Sequence, residues 1–504
     1  MKKILLPFFI FLSSFGLLQA QMDRYWDANL NSENALMGGA AVAGVGDVGA
    51  SFYNPASISR SFSSKLAFNT SVISVRINKI QNGVRQGENL RDENIQVVPR
   101  AFSFMYKPKK LRKVHFELLT MVKNQSILFV NEGFEFRADT FNPETEGEDV
   151  LSGNVYIRNS FNDAYMGGGV AINLNDRWSI GTSSFLTVKR VDQQNRLSYT
   201  LRPTADSFCY QGDCGPSYVT SSDYNKTMRM YEYGMLFKGG INYLGDEFSF
   251  GVTFTTPSFK ILGSGFSERL IDHSNYRNDS TGELVSYRAQ DWQGGLPARY
   301  KDPFSIALGL RFQNEAQTFQ INVTAEYFTS IKAYRLLTSE PNPNITDPEI
   351  YDELPVEAPL TYVQAADDVF NVAIGFRVAV GKKDFIYGGF RTDFNARSGW
   401  DLGELEDYQT LNSVDFDLYH FTGGSTFRIK GVDLILGAQY SYGAGKNKTP
   451  FFGVQESLFD GLFNQPNPES TNMKLIQHKI TLFVGATINF LKQLDQEETQ
   501  PTDF

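Results

Sequence analysis

Few residues in this 504-residue chain are arranged for chemistry, and most of those are arginines. The four histidines, His115, His273, His420 and His478, show no metal-ligand spacing. No Gly-x-Ser-x-Gly elbow or phosphate loop stands in a strand–turn–helix setting. His420 and Ser425 lie an odd number of positions apart, so a strand would turn them to opposite faces. Neither an enzyme mechanism nor a cofactor or metal has a residue set to rest on. What remains is charge recognition and one cysteine pair. Arg311, Arg377 and Arg428 fall near the ends of three segments on a common parity, forming a low ring of cations. Arg391 and Asp393 share a face, with His420 on the next segment. Two roles fit these groups: holding a carboxylate or other anionic head group, or pairing with buried acids such as Glu33 and Asp47, since buried charges need partners. Cys209 and Cys214, the only cysteines, sit in the polar stretch CYQGDC, where a local disulfide is expected in an exported protein. A net charge of −9 despite 47 Lys+Arg offers no basic excess for nucleic acid.

Strands must position these residues. Ile480, Leu482, Val484, Ala486, Ile488 and Phe490 alternate with Lys479, Thr481, Gly485, Thr487 and Asn489, with Phe483 the exception. The same dyad recurs at 304–312, 319–327 and 370–380. A soluble sandwich also alternates, but its outer face would carry more Lys and Glu. Here the second face is Gly, Ser, Thr and Asn, which suits a wet or plugged lumen. About fourteen such runs are expected between 64 and 490, an even number as single-chain barrels require. Tight turns such as Asn175-Asp176, Gly245-Asp246 and Asn314-Glu315 alternate with seven long loops near 78–97, 131–154, 201–225, 263–298, 335–366, 396–415 and 447–472. The fold class expected is an all-β, antiparallel transmembrane barrel of about fourteen strands with an N-terminal hatch. Mean hydropathy, −0.29, is too polar for a helical membrane protein.

Residues 1–20 read as a signal peptide: Lys2 and Lys3, an apolar run from Ile4 to Leu18, then Ala20. Residues 21–63 are the expected hatch, 64–490 the barrel, and 491–504 a disordered acidic tail. The hatch is rich in Gly and Ala from Asn31 to Ser59, so it buries little apolar area alone and must pack inside something larger. Asn54-Pro55-Ala56 reads as an N-cap and N1 pair opening a short helix. In the third expected strand, Lys123-Asn124-Gln125-Ser126 interrupts the alternation, either as an inward kink or as an outer-interface patch. The seventh long loop spaces Phe451, Phe452, Val454, Leu458, Phe459, Leu462 and Phe463 as a short amphipathic helix. Such a patch captures lipid, docks a protein partner or closes the mouth as a lid. The fifth long loop has a weaker helical signal from Ile350 to Leu354.

Ala35-Leu36-Met37-Gly38-Gly39-Ala40, then Gly44 to Asp47, then Tyr53-Asn54-Pro55-Ala56, resemble the hatch of FadL-type outer-membrane transporters for long-chain fatty acids. The final strand pairs, from Asp417 and from His478, are similar to that family too. The resemblance implies a bacterial outer-membrane location. It also implies passive uptake of fatty acids or other hydrophobic molecules, through an apolar pocket above the hatch and out through the wall when the hatch shifts. In that family an inward strand kink opens the wall. Arg391, His420, Phe459 and Leu462 are the ligand-binding candidates. The family also includes PorV-type barrels of a secretion system, whose likeness implies instead a companion barrel binding protein partners or cargo at its loops.

The cysteine reading gives a direct prediction. The unreduced mature protein should react with no thiol reagent and have a mass two hydrogens lower than its reduced form. Two free thiols by mass spectrometry would exclude the bridge between Cys209 and Cys214.

Overall fold

A computed structural model of the chain describes residues 24–26, 33–43, 48–61 and 64–489, except 84–88, 109, 112, 139–148, 203–206, 211–212, 217–218, 278–283, 341–343, 346–359, 382–383, 397–404, 406–408, 412–415, 430–431 and 449–472. The expected signal peptide, the acidic tail, Asp47, Phe459, Leu462 and the weak helix of the fifth loop lie outside these residues.

The alternating segments form the strands they predict. In order these are β1 (Lys65–Gln81), β2 (Leu90–Tyr106), β3 (Val114–Ala138), β4 (Asp149–Asn173), β5 (Trp178–Arg202), β6 (Ser207–Tyr210), β7 (Asp213–Pro216), β8 (Thr220–Leu244), β9 (Phe248–Thr255), β10 (Phe259–Arg277) and β11 (Leu284–Pro297). They continue with β12 (Ser305–Gln313), β13 (Phe319–Phe328), β14 (Ile331–Leu337), β15 (Asn344–Ile345), β16 (Tyr362–Ala366), β17 (Val369–Ala379), β18 (Phe385–Asp393), β19 (Gln409–Thr410), β20 (Leu418–Ile429), β21 (Val432–Lys448) and β22 (Met473–Asn489). The wall is a closed antiparallel barrel of 14 strands. Closure comes from β1 pairing with β22, in register from Lys65 opposite Asn489 to Gln81 opposite Lys474. Two wall strands are each built from two pieces, β9 with β10 and β11 with β12.

The outward apolar rows are exposed. Phe304, Ile306, Leu308, Leu310 and Phe312 all face out, as do Phe370, Ile374, Phe376 and Val378, and Ile480, Leu482 and Val484. Phe483, the exception to the alternation, is buried inside. No helix among the described residues is long and apolar enough to cross a membrane; the crossing is by strands. β12, β13, β17 and β18 have 9, 10, 11 and 9 residues, the length that spans a bilayer. β3, β4, β5 and β8 have 25 each, so with the strand tilt they rise roughly 35 Å past the membrane on the long-loop side. Much of what reads as long loop is therefore strand. The expected loop at 263–298 is largely the hairpin of β10 and β11, and the third long loop carries the hairpin of β6 and β7, whose register sets Cys209 opposite Cys214. β14, β16 and β19 leave the wall to form a small sheet over the lumen, buried on both sides along β16.

Residues 33–43 and 48–61 of the expected hatch pack against inward-facing residues of the wall. They contain two one-turn helices, α1 (Glu33–Leu36) and α2 (Ala50–Tyr53), and a 3-10 turn from Pro55 to Arg60. Asn54 caps that turn as expected: its backbone is extended, with φ −151°, and its side chain accepts from the Ala56 amide at 3.1 Å. The Asn54 amide also donates to the Val42 and Ile241 carbonyls, at 2.8 and 3.2 Å, joining two parts of the hatch to β8. Gly38 and Gly39 have φ of 69° and 84°, a turn that side chains disfavour. Opposite the hatch, the wall presents glycines on β4, β5, β8, β9, β12, β17, β18, β20 and β21. A Cβ at Gly181 would lie 2.5 Å from the Pro55 carbonyl carbon, and one at Gly251, Gly309, Gly375 or Gly389 would overlap the backbone of Val42, Ala43, Met37 or Gly38. On β13, Asn322 fills the gap by donating to the Ala40 carbonyl at 2.8 Å. The wall carboxylate of Glu117, 1% exposed, accepts from the Gly49 and Ser51 amides and the Ser103 hydroxyl, each at 2.6 Å.

Gly251→Val would place a branched side chain where the Val42 carbonyl lies. We expect the barrel to insert but seat its hatch poorly, with about 1–3 kcal/mol of overpacking strain. Planar-bilayer conductance should rise and the melting temperature fall. Unchanged values for both would show that the hatch does not need this close approach.

Candidate functional site

A cavity of ≈ 60 Å³ lies between the hatch and the wall. By volume this holds a few waters rather than an acyl chain. Its floor is hatch: Gly38, Gly39, Val42, Phe52 and Tyr53. Its walls bring Lys123, Lys238 and Arg391 together with Asp302 and Glu326. The expectation of an apolar pocket is thus met only in part: this chamber is mixed, with aromatic and charged sides. Lys238 is 8% exposed, and its ammonium lies 4.5 Å from the centre of the Phe52 ring. Lys123 lies 5.2 Å from the Tyr165 ring and 3.6 Å from Asp163. Trp26 caps the opposite side, donating from its indole to Glu326 at 2.6 Å and from its amide to Asp393 at 3.1 Å. The larger apolar surfaces lie elsewhere. One cluster includes Leu128, Val130, Phe134, Leu151, Ile157 and Leu201, and another packs Phe161, Met230, Tyr300, Leu336 and Tyr362 under the small inner sheet.

One side of the cavity meets an interruption of the wall. β9 ends at Thr255 opposite Ser305, and the β10–β11 ladder resumes only at Ser264 opposite Pro297. The cause is legible in the chain. Pro257, Pro297 and Pro303 cannot donate to a ladder and sit around the two gaps at 256–258 and 298–304. The 298–304 segment turns into the lumen. Asp302 meets Lys189 at 3.0 Å, Lys189 also meets Asp163 at 3.1 Å, Tyr300 stacks on Phe161 at 5.2 Å, and the Tyr300 amide donates to Glu232. Lys189 is fully buried. Outside the gap, Phe259, Ile261 and Leu262 are all strongly exposed, so alternation fails there. Thr255, Pro303 and Ser305 line both the gap and the cavity.

The predicted residues separate. Arg391 lines the cavity, buried, with Nη1 3.6 Å from where a Cβ of Gly39 would sit. His420 does not line it. Its Nδ1 lies 2.7 Å from Ser441 Oγ, and its Nε2 lies 3.6 Å from Asp393 Oδ2. Serine, histidine and carboxylate stand in sequence as in a hydrolase triad, but all three are fully buried and none borders the cavity. The low ring does not converge. Arg377 meets Glu33 of the hatch at 3.8 Å and covers the Phe385 ring; Arg428 grips Asp433 across its own turn at 2.7 Å; Arg311 donates to Gln313. Among the described residues, Arg377 makes the expected pairing with a hatch acid. In β3 the polar interruption is a one-residue bulge between Val122 and Asn124; the strand itself is continuous. The bulge turns Lys123 to the cavity. Lys189 and Lys238 escaped the sequence reading because a single lysine on an inward parity looks like many others. The three prolines were the available signal for the wall gap.

No family model matches the chain, and no curated protein matches it in sequence. Solved structures do. The crystal structure of a Pseudomonas aeruginosa FadL homologue has a TM-score of 0.50 at 10% identity, covering 90% of this chain and 96% of that one. The Pseudomonas putida toluene transporter TodX has a TM-score of 0.51 at 10% identity, covering 93% and 99%. A deltaS2 mutant of the TodX monoaromatic hydrocarbon channel gives 0.51 at 13% identity, covering 93% and 100%. The chain has the fold of these FadL-type outer-membrane channels.

The Lys189 network yields a stability prediction. Lys189→Met leaves Asp163 and Asp302 facing each other without their shared cation, and should destabilise the barrel by about 3–5 kcal/mol. Restoring neutrality with Asp302→Asn, which leaves Asp163 beside Lys123 at 3.6 Å, should recover much of that loss. Equal thermal stability of Lys189→Met and wild type would show the network to be energetically idle.

Proposed function

We propose that the barrel passes long-chain fatty acids or related hydrophobic molecules across the outer membrane by passive diffusion. One observation carries this reading: a cavity on the hatch borders a gap in the wall whose outer lip is apolar. A molecule arriving through the apolar clusters of the extended upper barrel would reach the cavity, then leave sideways between the β9–β10 and β11–β12 strands into the membrane. The similar structures support the class of cargo, since their names describe hydrocarbon and toluene channels. Burial of apolar surface, about 0.8 kcal/mol per CH₂, is the driving force, so no energy source is needed. The ≈ 60 Å³ chamber is too small for an acyl chain, so passage requires the floor of the chamber to shift. On this reading Arg391 and Lys238 receive an anionic head group, and the tail lies toward Thr255 and Pro303. Arg391 is the sequence-derived candidate; Lys238 joins it because its ammonium opens on the same space.

Binding of oleate and of toluene to the purified barrel in detergent tests the reading. Oleate should bind saturably, and Arg391→Ala and Lys238→Ala should each weaken it by about 1.5–3 kcal/mol, the worth of a charge-assisted hydrogen bond. Toluene, lacking a head group, should be indifferent to both changes. Failure of the wild type to bind either compound would reject the uptake reading. A protein co-purifying in fixed ratio would then favour a companion barrel.

A further inference from the structure

We propose that Arg190 and Arg229, on the outer face of β5 and β8, bind the phosphate of an outer-leaflet lipid. The inference is independent of the cargo and needs only the barrel's seat in the membrane. On β5 the outward residues run Trp178, Ile180, Thr182, Ser184, Leu186 and Val188, and the first outward charge above them is Arg190. Lys189, between them, points inward. On β8 the outward row is Tyr243, Ile241, Gly239, Phe237, Met235, Tyr233 and Tyr231, followed by Arg229. The register aligns the two transitions: Arg190 stands opposite Tyr231, and Asp192 opposite Arg229. Both arginines therefore lie just above the lipid-facing band, beside an edge-to-face pair of tyrosines with centroids 6.0 Å apart. Paired aromatics at this height mark the membrane interface. The tight turn at 174–177 begins β5, so this end is the long-loop, outward side.

The two guanidiniums are held together by one carboxylate. Asp192 lies 3.8 Å from Arg190 Nη2 and 3.4 Å from Arg229 Nε, through different oxygens. The Asp192 side chain is only 12% exposed, whereas those of Arg190 and Arg229 are 71% and 58% exposed. Two cations against one anion leave a net positive charge, and both guanidinium side chains remain largely exposed. That geometry suits a phosphate, which accepts forked donors from two arginines at once. Arg158 on β4, exposed and opposite Gln194, extends the basic face. Neither Glu268 on β10, which accepts from Gln290 at 2.7 Å, nor Glu232, buried inside the barrel, lies within ion-pair distance of either arginine. A lipid is favoured over a free ion because the band beneath offers acyl chains Val188, Tyr233 and Met235, contacts a free phosphate cannot use.

Native mass spectrometry of the detergent-purified barrel with bis-phosphorylated lipid A tests this. We expect lipid A to bind and Arg190→Gln/Arg229→Gln to weaken it about thirtyfold, the effect of two basic residues at a charged surface. Arg190→Lys/Arg229→Lys, which keeps both charges, should lose much less. Heat-shifted gel mobility verifies that each variant is folded. Equal binding by the glutamine variant would overturn the proposal. So would equal binding of dephosphorylated lipid A, or inorganic phosphate binding as tightly as the lipid.

Discussion

The barrel is organised by the approach of one backbone to another. The hatch segment buries a few apolar side chains against the wall, Leu36 and Met37 beside Tyr387, Ile435 and Phe483, and Val48 and Ile58 beside Met105. It also lies directly on glycines of the wall, where Gly181 admits the Pro55 carbonyl and Gly375 and Gly389 admit the turn at Met37 and Gly38. Close packing of small residues gains many weak dispersion contacts and brings hatch amides and carbonyls within reach of wall side chains. Glu117, Asn322, Thr422 and Asn54 then satisfy those groups. The segment is thus held by small hydrophobic clusters and close backbone fit together. Its hold depends on geometry that any added methyl group disturbs.

The second constraint is the gap in the wall. Prolines take three residues out of the hydrogen-bond ladder, and the chain between β11 and β12 turns inward. Its unpaired groups are met in the lumen: the Tyr300 amide by Glu232, the Arg299 amide by the Leu336 carbonyl, the Asp302 amide by Ser258 at 3.3 Å. Asp302 enters with a charge, and Lys189 and Asp163 are the buried partners that make this tolerable. The small sheet of β14, β16 and β19 packs over the same region, with Leu337 bridged to Ala298. The gap, the inner sheet and the charged network are parts of one departure from a regular barrel. They leave the cavity with a hatch floor and an interrupted side.

Seen from outside, the same strands meet two solvents. Short strands such as β12 and β18 match the bilayer, while β3, β4, β5 and β8 rise beyond it. On the tall strands the change from apolar to charged outward residues is abrupt, at Val188 to Arg190 and at Tyr231 to Arg229. This change records the height of the membrane more sharply than the strand ends do.

The sequence by itself determined the barrel. Period-two alternation fixes which side chains face lipid, tight turns fix which strands are neighbours, and both are local properties readable without a partner. Asn54 and Pro55 fixed the start of the 3-10 turn for the same reason, since a cap and an N1 proline act on adjacent residues. Tertiary structure decided what the inward faces do. Parity placed Arg311, Arg377 and Arg428 inside, but whether each found a hatch acid, its own turn or a neighbour depended on strand stagger, which no local pattern records. Arg391 and His420 are opposite one another on paired strands, yet the histidine is held away from the cavity by Ser441 and Asp393 whereas the arginine lines it. Lys123 reached that cavity only through a bulge, and Asp302 only because its strand breaks. Charged contacts between residues far apart in the chain are chosen by three-dimensional distance, and distance is set once the barrel has closed.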